Sequence, residues 1–153
     1  MSADPLVFMM GQYAAEFPRD RRYAKNHMWG QQRTAGIVRF GLSAYAVRLL
    51  QDVYFFDLQI AEGMQLSSKQ EIGSIESKKA ESSLYAPVAG RVTAVNESLL
   101  DDPTAINLDK YGAGWMFELE CVAEQLLSPE EYLKHLDSAW EVAQRTIKGQ
   151  ANA

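Results

Sequence analysis

At 153 residues, with 47 % apolar and 23 % charged side chains, the chain has the make-up of one globular domain, able to bury about two thirds of its unfolded surface. Twenty acidic against fifteen basic residues give a formal charge of −5, and no stripe of Lys and Arg interleaved with aromatics offers a phosphate footprint, which argues against nucleic acid as a partner. No apolar run approaches the roughly 20 residues of a membrane span, and the single cysteine, Cys121, excludes an intramolecular disulfide or a multi-cysteine metal site.

Residues 1–22 join a short apolar run, Leu6 to Met10, to Gly11, Pro18 and the cluster Arg19-Asp20-Arg21-Arg22, and fit no single period. They read as an N-terminal extension, either an arm packed on the body or a partly ordered tail. The run is too short for the apolar stretch of a secretory signal, and Asp4 stands where such a signal carries positive charge. From Tyr23 the pattern changes to short apolar runs punctuated by turn residues, the signature of a compact β domain over residues 23–127. Gly36 to Phe40 reads as a strand, and Ser43 is placed to cap a brief helix reaching about Leu50, since its hydroxyl can accept a free backbone N–H of the first turn. Val53 to Leu58 is strand-like and Glu62-Gly63 a turn. Ile72 to Ser77 and Leu84 to Val95 are further extended runs, the second bent at Pro87 to Gly90. The stretch from Asn96 to Asn107, with Pro103 inside it, predicts a loop or a single helical turn. Trp115, Phe117, Leu119 and Cys121 then alternate with Met116, Glu118 and Glu120, which predicts a strand that sends the first set to the core and the two acids to water.

Residues 128–148 form the last predicted element. Ser128-Pro129-Glu130-Glu131 is a capping box with proline at the first helical position, and Leu133, Leu136, Trp140, Ala143 and Ile147 recur at helical spacing as an apolar face for packing on the domain. Gly149 is placed to end the helix, leaving 149–153 as a tail, and His135 falls on the exposed side. Enzyme constellations are lacking. His27 and His135 lie far apart without ligands at metal spacing, there is no nucleophile elbow or phosphate loop, and Gly112-Ala113-Gly114 leads into a strand and is a turn.

The segment "IESKKAESSLYAPVAG", residues 75–90, sets two lysines at the break between two strand-like runs. A lysine pair among glutamates is by default a solvated charged turn. Placement allows a second reading, because a lysine at a tight bend between strands is accessible to another enzyme yet held by its flanking ladders, which is what a carrier group needs.

This segment resembles the lipoyl attachment site of the glycine cleavage system H-protein family through Glu76, Ser77, Lys79, Ala80, Leu84, Tyr85, Ala86, Pro87 and Gly90. "VNESLLDDP", Asn107 with "YGAGW", "GIVRFGLSAYA" and the trio Tyr23, His27 and Trp29 continue the resemblance in register over about residues 23–135. The resemblance implies a mainly β fold, a flattened β-sandwich of the biotinyl/lipoyl type (a barrel-sandwich hybrid), with a short helix in the N-terminal half and an amphipathic C-terminal helix. It further implies lipoic acid in amide linkage on Lys79, with Glu76, Ser77 and Ala80 as supporting motif residues. The expected partners are a lipoyl ligase or transferase, a pyridoxal-phosphate glycine decarboxylase, a tetrahydrofolate-dependent aminomethyltransferase and dihydrolipoamide dehydrogenase. The protein would be a carrier and not a catalyst, working in the cytoplasm, or in the mitochondrial matrix of a eukaryote.

Moving an attachment by one residue along a hairpin turns it to another face, so Lys78 and Lys79 are not interchangeable to a ligase that reads geometry. Lys78 replaces a small apolar residue of the family pattern, Gln51 a glycine, and Met28 a glutamate between the histidine and the tryptophan. If that glutamate lines the cleft where a charged aminomethyl group shelters, its replacement leaves the intermediate less protected. His27 reads either as a hydrogen-bonded structural residue or as a cleft contact. Two alternatives follow: an H-like lipoate-binding protein of another pathway, such as heterodisulfide-reductase-like sulfur oxidation, or an unmodified H-like interaction module.

Overall fold

In the computed structural model, backbone is described for residues 4–152 and side chains for residues 4–145; Ile147 on the predicted apolar face and the last residue of the predicted tail fall outside those ranges. The N-terminal segment is a hairpin of β1 (Leu6–Met10) and β2 (Tyr13–Phe17), turned at Gly11, whose φ of +65° lies in the left-handed region that glycine enters without steric cost. It packs on the body as an arm. The sequence offered no period there because each strand is only five residues long and β1 is apolar on both its inward and outward faces.

β3 (Arg22–Tyr23), β4 (Met28–Thr34), β5 (Ile37–Leu42), α1 (Ala44–Leu50), β6 (Val53–Leu58), β7 (Gln65–Leu66), β8 (Glu71–Ser77), β9 (Glu81–Tyr85) and β10 (Gly90–Val95) follow in order. After them come α2 (Glu97–Asp101), α3 (Ala105–Leu108), β11 (Phe117–Glu120) and α4 (Pro129–Asn152). Two antiparallel sheets share the main core. One runs β3-β4-β5-β11-β10-β7 and the other β6-β8-β9. Val38, Phe40, Phe117 and Leu119 of the first meet Phe56, Ile72, Ile75 and Leu84 of the second, all buried. This is the predicted mainly β sandwich. At Gly73 a Cβ would collide with the Asp57 carbonyl oxygen, so only glycine lets β6 and β8, the strands that lead to the lysine pair, approach this closely.

A second, smaller core ties the chain ends to the body. Tyr132 of α4 stacks on Tyr23 with ring centroids 4.7 Å apart, and Phe17 of β2 sets its edge against both rings at 5.4 and 5.8 Å. Such pairs add about 0.5–1.5 kcal/mol each beyond their buried area. The Arg19–Arg22 cluster belongs to this support: the Arg21 guanidinium lies over Trp29 at 4.8 Å and donates to the Tyr111 carbonyl at 3.0 Å, while Arg22 donates to the Leu126 carbonyl.

Several expectations need correction. The run 84–95 is two strands in different sheets, because the bend at 87–90 carries the chain from one layer to the other. The stretch 96–107 holds two short helices rather than one turn. Met116 is fully buried, and Glu118 is not in water but accepts from Arg39 at 2.7 Å, with that guanidinium 4.1 Å over the Trp115 ring. Cys121 is half-buried against the main core, and burial pushes its thiol up to about 11. Ser43 is the residue before α1 but does not cap it with its side chain; its hydroxyl pairs with Tyr132 instead. The capping box of α4 forms as expected, Glu131 accepting from the Ser128 amide at 2.8 Å and donating its own amide to the Ser128 hydroxyl at 3.2 Å. The helix continues through Gly149 to Asn152, since a glycine costs a helix only about 1 kcal/mol and stops it only when the chain adopts a left-handed turn there.

Candidate functional site

The lysine pair lies at the end of the β8–β9 hairpin, whose three-residue tip is Lys78, Lys79 and Ala80. Each backbone N–H of the tip has an acceptor. Lys78 donates to the Asp52 carbonyl at 2.9 Å, and Lys79 and Ala80 donate to the Ser77 hydroxyl oxygen at 3.3 and 3.1 Å. Ser77 in turn donates its amide (2.8 Å) and its hydroxyl (3.2 Å) to the Ala80 carbonyl. Ser77 is buried while Lys78, Lys79 and Ala80 are exposed, so one hydroxyl organises the tip from below and leaves the lysine side chains outside. Among the described residues neither lysine joins an ion pair.

Lys79 is the middle residue of the tip. Lys78 is tied through its amide to the segment entering β6, and that segment is itself pinned, for the Asn107 side chain accepts from the Val53 amide at 2.9 Å and donates to the Gln51 carbonyl at 2.7 Å. Asn107 thus fixes both neighbours of the carbonyl that holds the hairpin. Gln51, where the family pattern has glycine, adopts φ +61° in this pinned turn. Glu76 is half-buried and pairs across the sheet with Glu81 on one side and Phe55 on the other.

Beside the hairpin runs a cleft of about 210 Å³. The loop from Asn26 to Met28 forms one wall, α1 another through Ala46, Leu49 and Leu50, and Ile75, Ser82, Ser83 and Leu84 of the hairpin strands the third. About 10 Å of strand separates Lys79 from Ser82 at ~3.3 Å per residue, which an acylated lysine side chain can span. The structure therefore brings Glu76, Ser77, Lys79 and Ala80 together at the tip, and sets His27 apart in the cleft wall.

His27 is strained, with φ +73°. Its amide donates to the Ala24 carbonyl, its carbonyl accepts from the Ser43 amide, and its Nδ1 lies 2.8 Å from the Tyr132 hydroxyl, which is 2.9 Å from the Ser43 hydroxyl. Burial, reinforced by nearby His135, lowers its pKa to about 4, so the ring is neutral at physiological pH. His135 is half-buried rather than exposed, its ring centroid 5.9 Å from that of His27, because Tyr132 and Leu136 are the deepest residues of α4 and turn the helix by that much. No group of three or more His, Cys, Asp or Glu among the described residues could hold a metal ion. Sequence reasoning missed Tyr132, Ser43 and Asn107 as supports; Tyr132 stands four residues before Leu136 and could have been read onto the apolar face.

A β-sandwich that exposes a lysine pair at a fixed hairpin tip, beside a narrow cleft, has the features of a carrier domain of the biotinyl/lipoyl class. The glycine cleavage H-protein family model matches residues 21–143. The glycine cleavage system H protein of Carboxydothermus hydrogenoformans is 39 % identical over 129 residues, covering 81 % of this chain and 97 % of that one. The probable glycine cleavage system H protein of Natronomonas pharaonis is 42 % identical over 120 residues, covering 76 % and 94 %. The crystal structure of a glycine cleavage system H protein from Mycobacterium marinum superposes with a TM-score of 0.70 at 35 % identity, covering 79 % of this chain and 99 % of that chain. The chain belongs to the glycine cleavage H-protein family; it is a carrier of a multienzyme system and not itself a catalyst. Proteins of this family carry lipoic acid and work with the enzymes of glycine cleavage, and the matches do not favour a carrier of another pathway. No described helix is long and apolar enough to cross a membrane.

Proposed function

We propose that Lys79 is the lipoyl attachment residue and that this chain presents the lipoyl-lysine arm in turn to glycine decarboxylase, aminomethyltransferase and dihydrolipoamide dehydrogenase, moving an aminomethyl group between the first two. The observation that carries the assignment is the tip itself: all three of its amides are bonded, and the middle residue is a lysine with no ion-pair partner among the described residues. Ser77 and Asp52 hold the tip in one shape for a ligase to read, and Glu76 and Glu81 flank it with negative charge. When bound, the lipoyl group supplies a dithiol–disulfide couple that opens and closes by exchange. The body supplies reach, since a tether on a fixed tip raises the local concentration of the arm at each partner far above that of free lipoate. This reading implies the cytoplasm, or the mitochondrial matrix of a eukaryotic host, as the compartment.

The test is intact mass and a peptide map over residues 70–91 after incubation with a lipoyl ligase, lipoate and ATP. One adduct on Lys79 is expected, lost in Lys79→Arg and kept in Lys78→Arg. An unchanged mass, or an adduct on Lys78, refutes the assignment. Glycine–bicarbonate exchange with glycine decarboxylase then tests the pathway.

A further inference from the structure

Beyond Asn26 and Tyr85 lies a second hollow, of about 220 Å³, separate from the cleft beside the hairpin. Those two residues line both spaces, and the hydrogen bond from the Asn26 side chain to the Tyr85 carbonyl, 2.9 Å, makes them the ridge between. Ala24, Ala86, Val88 and Leu126, all buried, form the floor of the second hollow. Backbone groups at that floor are already committed: the Ala24 amide donates to the Met28 carbonyl, the Ala24 carbonyl accepts from the His27 amide, and the Leu126 carbonyl accepts from Arg22. Lys25 and Lys69 stand exposed at the rim, and neither joins an ion pair among the described residues. No carboxylate lines the hollow, although the chain holds 20 acidic residues. Lys69 keeps its place against its own backbone preference, for its φ of +68° lies in the left-handed region that residues other than glycine seldom enter. Its amide donates to the Ala86 carbonyl at 3.0 Å, and the Ala86 amide donates to the Gln70 carbonyl at 2.8 Å, so the loop that carries this lysine is bonded directly to the floor.

Two ammonium groups above an apolar floor select a ligand with one negative end and an apolar body. The volume is that of about seven waters at ~30 Å³ each, room for a single short chain. We propose that this hollow binds a free monocarboxylate with a medium-length apolar tail, its carboxylate held by Lys25 and Lys69 and its tail laid on Ala86, Val88 and Leu126. The carboxyl groups of Asp and Glu sit on stems too short to cover the floor while the charge stays at the rim, so the ligand is a small molecule and not a segment of a protein. About 20 Å of strand, at ~3.3 Å per residue, separates Lys79 from Tyr85, and the proposal does not depend on what Lys79 carries.

The full, unmodified chain is titrated with octanoate, butyrate, octanamide and octylammonium while amide ¹H–¹⁵N shifts are followed. Octanoate is expected to move the amides of Lys25, Lys69, Ala86 and Val88 to saturation. Butyrate, with fewer methylenes to lay on the floor, should bind at least about tenfold more weakly. Octanamide should bind about fivefold more weakly than octanoate, the scale of an exposed charge pair, and octylammonium should leave those amides in place. Combining Lys25→Gln with Lys69→Gln, both exposed positions, should lower octanoate to the affinity of octanamide and leave octanamide unchanged. Octanoate binding no tighter than octanamide or butyrate, or equally tight binding to the double variant, overturns the proposal. Tighter binding of the acidic peptide acetyl-Leu-Glu amide than of octanoate overturns it too, by making a protein segment the better occupant.

Discussion

His27 provides the sharpest test of the cleft wall. Its ring titrates near 6.5 in an unfolded chain and near 4 in the folded one, burial being the larger cause and His135 the smaller. Between those values the unfolded state binds a proton that the folded state refuses, so unfolding takes up a proton and stability falls as the pH is lowered. The contribution is complete above the unfolded value and is fully lost once the pH reaches the folded one. The gap, 6.5 − 4 = 2.5 units, corresponds to about 3 kcal/mol at 1.36 kcal/mol per unit. The other groups against the ring are Tyr45 and Tyr132, which burial holds protonated throughout, and Ser43 behind Tyr132. His27→Asn removes the titration while keeping a residue that tolerates φ +73°. Urea unfolding of both proteins from about pH 7.5 to 3.5 is the assay, since the carboxylates titrate in both and largely cancel in the difference. Near pH 7 the wild type should be the more stable by about 1 kcal/mol, the worth of the Tyr132 hydrogen bond. Near pH 4 the order should invert, with the variant ahead by about 2 kcal/mol. Parallel curves over the whole range would refute the claim that the folded protein keeps this ring neutral.

Two substitutions probe the hairpin. Ser77→Ala removes the hydroxyl that serves Lys79, Ala80 and the Ala80 carbonyl, and should cost about 1–2 kcal/mol. Amide exchange should quicken at Lys79 and Ala80, and the ligase KM should rise with kcat little changed; unchanged exchange would show that the hydroxyl does not organise the tip. Asn107→Ala leaves the Val53 amide and the Gln51 carbonyl without their partner and should cost about 1–3 kcal/mol. Its signature is faster exchange at Lys78, which is bonded to the Asp52 carbonyl between those two groups; a loss of thermal stability with Lys78 exchange unaltered would make Asn107 structural only.

β6 was legible from its run of β-branched and aromatic side chains, and its bounds fall at the predicted Val53 and Leu58 although a register shift between Val53 and Phe55 breaks the alternation of its faces. β11 was legible in register but not in chemistry. Its Glu118 reads as a solvent residue because sequence shows a charge and not its partner; Arg39 lies on the neighbouring strand, and only pairing across β5 and β11 brings them together. The β8–β9 hairpin was legible as a motif because its residues are contiguous. The cleft was not, since its walls come from the 26–28 loop, α1 and the hairpin, and no local period links them. Ser43 shows how a correct local rule gives a wrong contact: it has the composition and position of a cap, but a buried hydroxyl takes the partner that tertiary packing supplies, here Tyr132.

Tip and cleft are supported by different parts of the chain. Ser77, Asp52 and Asn107 hold the tip, all from the middle of the sequence, while the cleft wall at His27 depends on Tyr132, which is clamped between Tyr23 and Phe17 by the packing of the two chain ends. No hydrogen bond described here links the Ser77–Asp52–Asn107 set to the His27–Tyr132–Ser43 set. Separate supports imply near-additive effects: combining Asn107→Ala with His27→Asn should give the sum of the single changes within about 0.5 kcal/mol. A body built this way can hold the hairpin tip and shape the cleft wall independently, so a change that loosens one leaves the other in place.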